Sequence, residues 1–227
     1  MKRLVGMILL MAMGLSVAAP IKSIVGGKHC GMSGAKLPYD AEVEYLEGVA
    51  YQTYIDLGRT ATANTDVEVC FAPISGTGIM FGYRLNASGH YDIAVNLENN
   101  SPIIVLCAYS QPYTVPCTYG DYHTIITGKN GITVDGNVLS SASDGNVPRN
   151  RNLCLFTMIE AYQSSPVNTA YRINARCKYF NLYEAGELVM ALIPVRKDGV
   201  GYMYDTISGE FYGNAGTGVF IIGPDKH

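Results

Sequence analysis

The sequence predicts an all-β domain, and three observations carry that reading. Short runs of Tyr, Thr, Val and Ile recur along most of the chain, separated by Gly, Asn, Asp and Pro. No segment beyond the apolar N-terminal leader keeps a 3.6-residue period over any length. The 227 residues are 48% hydrophobic and only 15% charged, which excludes a disordered chain and suffices for one sizeable core. The formal net charge of -3 comes without a long run of either sign, so nucleic acid is not an expected partner.

Residues 1–19 read as a leader. Lys2 and Arg3 precede the run "LVGMILLMAMGL", which is too short for a comfortable membrane span, and "SVAAP" follows with small residues at Ser16 and Ala18. Two readings stand: a signal peptide cleaved after Ala18, or an uncleaved apolar arm that docks in an assembly. The residues before Cys30 lack the pattern of a lipoprotein signal, and no second apolar segment lies near the C-terminus. An exported product is therefore expected without a transmembrane anchor after processing. Residues 20–37 intersperse Gly26, Gly27, Gly31 and Gly34 with Lys22, Lys28 and Lys36, and predict a flexible linker.

Strand signals begin at Pro38 and define a single domain over 38–227. "TDVEVCFAPI" alternates Val67, Val69 and Phe71 with Asp66, Glu68 and Cys70, a half-buried strand. "YDIAVNLEN" places Ile93, Val95 and Leu97 on one face, and the continuous run "PIIVLCAY" predicts a central strand. In "YHTIITGKNGITVDGNVLSS", Asn130-Gly131 and Asp135-Gly136 are tight-turn pairs, so three short strands form a meander. "RNLCLFTMIEA" gives a further strand, "RINARCKYFNLYEAGELVMALIPVRK" turns near Ala185-Gly186, and Ser208-Gly209 separates two Tyr-rich strands. So many short strands at this spacing predict a sandwich or barrel.

The six cysteines show no pair with the two-residue gap of a zinc site or redox motif. Cys107 and Cys117 bracket the Pro-containing "AYSQPYTVP", whose ends could meet, and export would permit a disulfide there. The other reading has Cys70, Cys107, Cys154 and Cys177 reduced and acting as small buried hydrophobes.

Three segments carry a family resemblance. "PYDAEVEYLE…YQTYIDLG", "HTIITGKNGITVDGNVL" and "YFNLYEAGELVMALIPVRKDGVGYMYDTISGEFYGNAGTG" resemble the opening, a hairpin and the closing segment of concanavalin A-like, laminin-G-like domains of gut bacteria and their phages. The resemblance spans roughly 38–223, with the two ends most specific and 71–116 matching by strand pattern only. It implies a two-sheet antiparallel jelly roll. Such domains serve as sugar-binding modules, adhesins and virion parts, so it specifies function only weakly.

"EVEYLE", Glu42 to Glu47, is similar to the Glu-x-Asp-x-x-Glu catalytic strand of laminarinase-type glycosidases. A retaining glycosidase needs two carboxyl groups about 5 Å apart on one face. On a regular strand Glu42 and Glu44 face one way and Glu47 the other, unless a bulge intervenes. Glu44 also replaces the Asp, and the motif opens the domain near an expected sheet edge. No catalytic residues are assigned, and the expectation is a protein that is not an enzyme. There is no Gly-x-Ser-x-Gly and no phosphate loop. His90 reads as part of a surface turn and His123 as a sheet residue. Related sandwiches hold calcium at strand ends, which makes Asp56, Asp92, Asp121 and Asp135 candidates; turn chemistry is the alternative, preferred for Asp135. No other cofactor is expected.

The ligand-binding candidates are Tyr109, Tyr113, Tyr119 and Tyr122, in "CAYSQPYTVPCTYGDYH". Tyr joins a flat apolar ring to a hydroxyl, suited to sugar or protein contact, whereas alternate Tyr residues also pack sheets. Tyr109 and Tyr113 flank the expected loop tip. The predicted function is a non-catalytic, secreted or cell-surface recognition module for carbohydrate binding or adhesion, with a glycan or surface protein as partner. The alternative is a structural component of a phage virion or surface assembly, held as a homo-oligomer or through its N-terminal arm; a third reading, a laminarinase-type glycosidase, rests on "EVEYLE" alone.

Overall fold

The computed structural model describes residues 37–86, 89–108, 111–128, 131–140, 152–160 and 173–227; for 83–86, 89–98, 107–108, 111–112 and 159–160 it describes the backbone alone. The leader and most of the expected linker lie outside this set. The described residues contain no helix and form two sheets around one core.

The larger sheet contains β1 (Ala41–Glu42), β2 (Leu46–Gly48), β4 (Thr65–Ser75), β9 (His123–Gly128), β10 (Gly131–Val134), β11 (Asn137–Ser140), β14 (Asn174–Glu184), β15 (Glu187–Lys197), β16 (Val200–Asp205), β17 (Phe211–Tyr212) and β18 (Ile221–Ile222). The smaller contains β3 (Ile55–Thr60), β5 (Gly78–Asn86), β6 (Gly89–Glu98), β7 (Ser101–Ala108), β8 (Gln111–Pro116), β12 (Asn152–Leu155) and β13 (Ile159–Glu160). All pairings are antiparallel except β13 with β5. The domain is a two-sheet β-sandwich.

The expected meander is present as β9, β10 and β11. Its second turn follows the sequence closely: Asp135 and Gly136 both adopt positive φ, 50° and 80°, as that dipeptide favours. Ala185-Gly186 likewise turns β14 into β15. The apolar run of β7 lies inside the smaller sheet, between β6 and β8. Ile104 and Leu106 enter the main core, while Val105 joins a small cluster with Ile79 and Met158 on the opposite face. His90 sits in β6, opposite Arg84, rather than in a turn.

Rings knit the two sheets together. Phe81 of β5 meets Phe180 of β14 with centroids 5.4 Å apart, and Phe156 contacts both Phe71 (5.9 Å) and Phe220 (5.4 Å). Gly48 is where Phe156 passes closest. A Cβ there would stand 2.5 Å from Phe156 Cδ1, so Gly48→Ala must displace a fully buried ring. The expected result is a loss of about 2 kcal/mol or more, read from the midpoint of urea unfolding. A variant as stable as the parent would show that the ring moves freely.

The stretch "EVEYLE" is not one edge strand. It breaks at Glu44 and Tyr45 into β1 and β2, and it lies inside the larger sheet. Long strand β14 pairs with β2 over Ala175–Cys177 and with β15 over Phe180–Glu184, so the sheet forks. Residues 41–48 fill the fork, because β1 pairs in turn with Val195 and Arg196 of β15. The end of the domain then runs antiparallel along them. Ile221 and Ile222 pair with Glu47 and Leu46, and Val43 bridges to Asp225. Gly223 N donates to Tyr45 O, Glu44 N to Pro224 O, and Lys226 N to Glu42 O. A bidentate pair locks the ladder, with Arg196 Nη1 and Nη2 at 2.7 and 2.9 Å from the two Asp225 oxygens.

The bridge considered between Cys107 and Cys117 does not form. Strands β7 and β8 pair antiparallel with Cys107 opposite Pro112, while Cys117 N bonds Pro102 O five residues further along β7. Five strand residues span roughly 17 Å, well beyond the reach of a disulfide. Cys117 is a free thiol, as are Cys70, Cys154 and Cys177.

Candidate functional site

Of the four tyrosines expected to form a binding rim, the three described ones, Tyr113, Tyr119 and Tyr122, do not share one face. Tyr109 and the side chain of Cys107 lie outside the described residues. Tyr113 is not at a loop tip but on β8, opposite Leu106, with its ring packed against the main core. Alternation along β8 explains this, since residues 113, 115 and 117 turn inward and 114 and 116 are exposed. Tyr113→Ala is therefore expected to lower stability by about 2 kcal/mol, read as a fall in melting temperature. Tyr119 also packs on the core and donates its hydroxyl to Gly76 O at 2.8 Å. Of the three described tyrosines, Tyr122 reaches the face described next.

That face is the outer surface of the larger sheet, turned away from the smaller one. Strand β4 was expected to be half-buried with polar residues toward solvent. Instead Asp66, Glu68 and Cys70 are buried as well as Val67, Val69 and Phe71. The cover comes from β14. A register shift between Cys177 and Tyr179 places two consecutive side chains, Lys178 and Tyr179, on the outer face, after which Phe180 returns to the core. Tyr179, Asn181 and Tyr183 then lie over β4 and converge on Glu68, which is only 7% exposed.

The hydrogen bonds fix this arrangement. Tyr179 Oη donates to Glu68 Oε1 at 3.1 Å, and Tyr183 Oη donates to Oε2 at 3.1 Å. Asn181 Nδ2 makes a longer contact to Oε2 at 3.4 Å. A carboxylate removed from water needs such donors. Burial, reinforced by the charge and hydrogen bonds of Glu68, pushes both tyrosines up to about 12. They serve as donors and apolar plates, not as bases. The Cys70 thiol beside them is also pushed up by burial, which leaves it unreactive near neutral pH.

Further along the same face, toward β17, Tyr202 and Tyr204 pack edge-on or tilted against Phe211 at 5.6 and 4.9 Å, and Tyr39 meets Tyr204 at 5.1 Å. Toward β2, Arg176 Cζ lies 4.3 Å from the centre of the Tyr45 ring, and Lys178 Nζ lies 3.8 Å from that of Tyr122.

The carboxylates of "EVEYLE" are engaged elsewhere. The break at Glu44 and Tyr45 is the irregularity that puts Glu47 on the same outer face as Glu42. Glu42 Oε1 accepts from Tyr39 Oη at 3.1 Å, and its other oxygen lies 3.8 Å from Lys226 Nζ. Glu47 Oε2 accepts from Arg176 Nε at 2.6 Å. Glu44 is exposed.

Of the calcium candidates, Asp135 serves its turn, accepting from Thr124 N at 2.8 Å and pairing with His123 Nδ1 at 2.7 Å. Asp56 accepts from Gly58 N and Asn152 Nδ2. Asp121 is exposed, and the side chain of Asp92 is not described. Among the described residues no three His, Cys, Asp or Glu side chains cluster closely enough to hold a metal ion.

The tyrosines give the domain a defined alkaline limit. Tyr39, Tyr122, Tyr179, Tyr183 and Tyr212 are each raised from 10.0 to about 12, in every case chiefly by burial. A folded value above the unfolded one means that the stabilisation is complete below pH 10 and is lost as pH rises toward 12. The share of ionised-tyrosine absorbance that belongs to these five is expected to appear together with loss of near-ultraviolet dichroism in that window. Ionisation of these five near pH 10 in a still-folded protein would contradict this.

No protein-family model matches this chain, and no curated protein matches it.

Proposed function

We propose that this β-sandwich is a non-catalytic recognition module of the jelly-roll, concanavalin A-like kind that its end segments resemble, and that it binds a glycan through the outer face of the larger sheet. One observation carries the reading. The solvent side of a sandwich is ordinarily charged, yet here Tyr179, Asn181 and Tyr183 form a half-buried tyrosine–amide surface around one buried carboxylate. Flat rings beside fixed amide and hydroxyl groups match a sugar, which offers apolar C–H faces edged by hydroxyls. The engagement of Glu42 by Tyr39 and Lys226, and of Glu47 by Arg176, supports the non-catalytic part. No hydrolysis of laminarin is expected; activity that vanished in Glu42→Gln or Glu47→Gln would overturn that part.

The test is a glycan array followed by calorimetry. Open, shallow sites bind weakly, so affinities in the range of roughly micromolar to millimolar are expected. Tyr183→Ala should weaken binding about tenfold, the loss of one ring's apolar contact. If no glycan binds at millimolar concentration, the glycan reading fails. Defined oligomers of the full-length chain would then favour the structural-assembly alternative.

A further inference from the structure

The corner of this face beside β2 is rich in donors and short of acceptors. Arg176 gives its Nε to Glu47 at 2.6 Å, and its two terminal nitrogens have no partner among the described residues. Lys178 rests on the Tyr122 ring at 3.8 Å and makes no ion pair among the described residues. The Tyr122 hydroxyl is buried and has no hydrogen-bond partner. It stands near the Arg176 guanidinium, whose charge opposes the upward push of burial on that hydroxyl. Glu47 takes one Arg176 nitrogen and Glu68 is filled by Tyr179, Asn181 and Tyr183, so the remaining donors of Arg176 and Lys178 are unmatched among the described residues, and a buried hydroxyl without a partner costs about 1–3 kcal/mol unless something bonds to it.

We propose that this corner, Arg176, Lys178 and Tyr122, takes the carboxylate of an acidic saccharide. The inference rests on the glycan reading above and narrows it to uronate-type sugars. The paired terminal nitrogens of Arg176 offer a planar fork that matches the two oxygens of a carboxylate, and Lys178 adds a point charge beside it. The ring of Tyr122 holds the lysine ammonium in place, so little side-chain freedom is lost on binding. The β14 bulge joins this corner to the tyrosine–amide surface, because it sets Lys178 next to Tyr179 on one face. A sugar ring over Tyr179 would then carry its carboxylate toward Lys178.

The experiment compares an oligogalacturonate with the neutral galactose oligomer of equal length, using the full chain at 20 and 300 mM salt. The carboxylated oligomer is expected to bind at least about tenfold more tightly at low salt, with the advantage shrinking at high salt. Lys178→Met, which keeps the apolar stem, should bring the ratio of the two affinities toward one, and Lys178→Glu should invert it. Thermal melts of both variants confirm folding, since Lys178 is not a core residue. Equal affinity for the two oligomers, or an unchanged ratio in Lys178→Met, overturns the inference and leaves the glycan reading standing. Binding of neither oligomer counts against both.

Discussion

A chain ended after Gly218 is expected to lose cooperative unfolding altogether. Those last residues supply β18, the backbone bonds to Glu42, Glu44 and Tyr45, and the bidentate Arg196–Asp225 pair. They also supply Phe220, 7% exposed and 5.4 Å from Phe156. Phe220→Ala alone should cost about 3–5 kcal/mol, as ring-to-methyl changes in cores do. A domain of this size has only about 5–15 kcal/mol in total, so the larger deletion should exhaust it. Urea unfolding followed by near-ultraviolet dichroism is the measurement. A truncated chain with a sharp transition near that of the parent would show that the last segment is peripheral.

Glu68→Ala is the second large effect, and it should strike stability and binding together. Removing the carboxylate strands the hydroxyls of Tyr179 and Tyr183 and the amide of Asn181. Bonds to a charged acceptor are worth about 1.5–3 kcal/mol each, and water can replace part of them because both rings are half-buried. A net loss of about 2–3 kcal/mol is expected, with saccharide binding reduced below detection. Glu68→Gln keeps one acceptor oxygen and should lose less than half as much stability. If Glu68→Ala melts like the parent and still binds sugar, Glu68 organises nothing on this face.

Much of the fold could be read from local signals. The Asp135-Gly136 and Ala185-Gly186 turns, the meander and the Tyr-rich hairpin all follow from positive-φ residues between β-branched and aromatic runs. The face could not be read in the same way. Period-two alternation in "YFNLYE" does separate Phe180 and Leu182 from Tyr179, Asn181 and Tyr183. It does not reveal that the polar half covers a neighbouring strand, because Glu68 lies more than 100 residues away in sequence. Nor does spacing reveal the bulge at Lys178, which depends on pairing with β4. The dense run of tyrosines at 109–122 is the stronger local signal, yet β8 turns Tyr113 inward by a register that its pairing with β7 sets, Cys107 opposite Pro112. "EVEYLE" misled about its location for a related reason. An edge strand and a fork-filling strand look alike until their partners, here β14, β15 and β18, are known.

The ladder between 42–47 and 221–226 also decides how the domain responds to force. The two segments run antiparallel, with Glu42 beside Lys226 at one end and Glu47 opposite Ile221 at the other. A load applied between residues 37 and 227 enters at the Glu42–Lys226 end and opens the hydrogen bonds one after another. They are peeled in sequence and do not share the load as they would in shear, and the activation barrier to peeling governs the rate. Held by those two residues in a pulling experiment, the domain should release its last segment first and at low force. The rest of the sandwich should then give way at a forked sheet that has lost its filling.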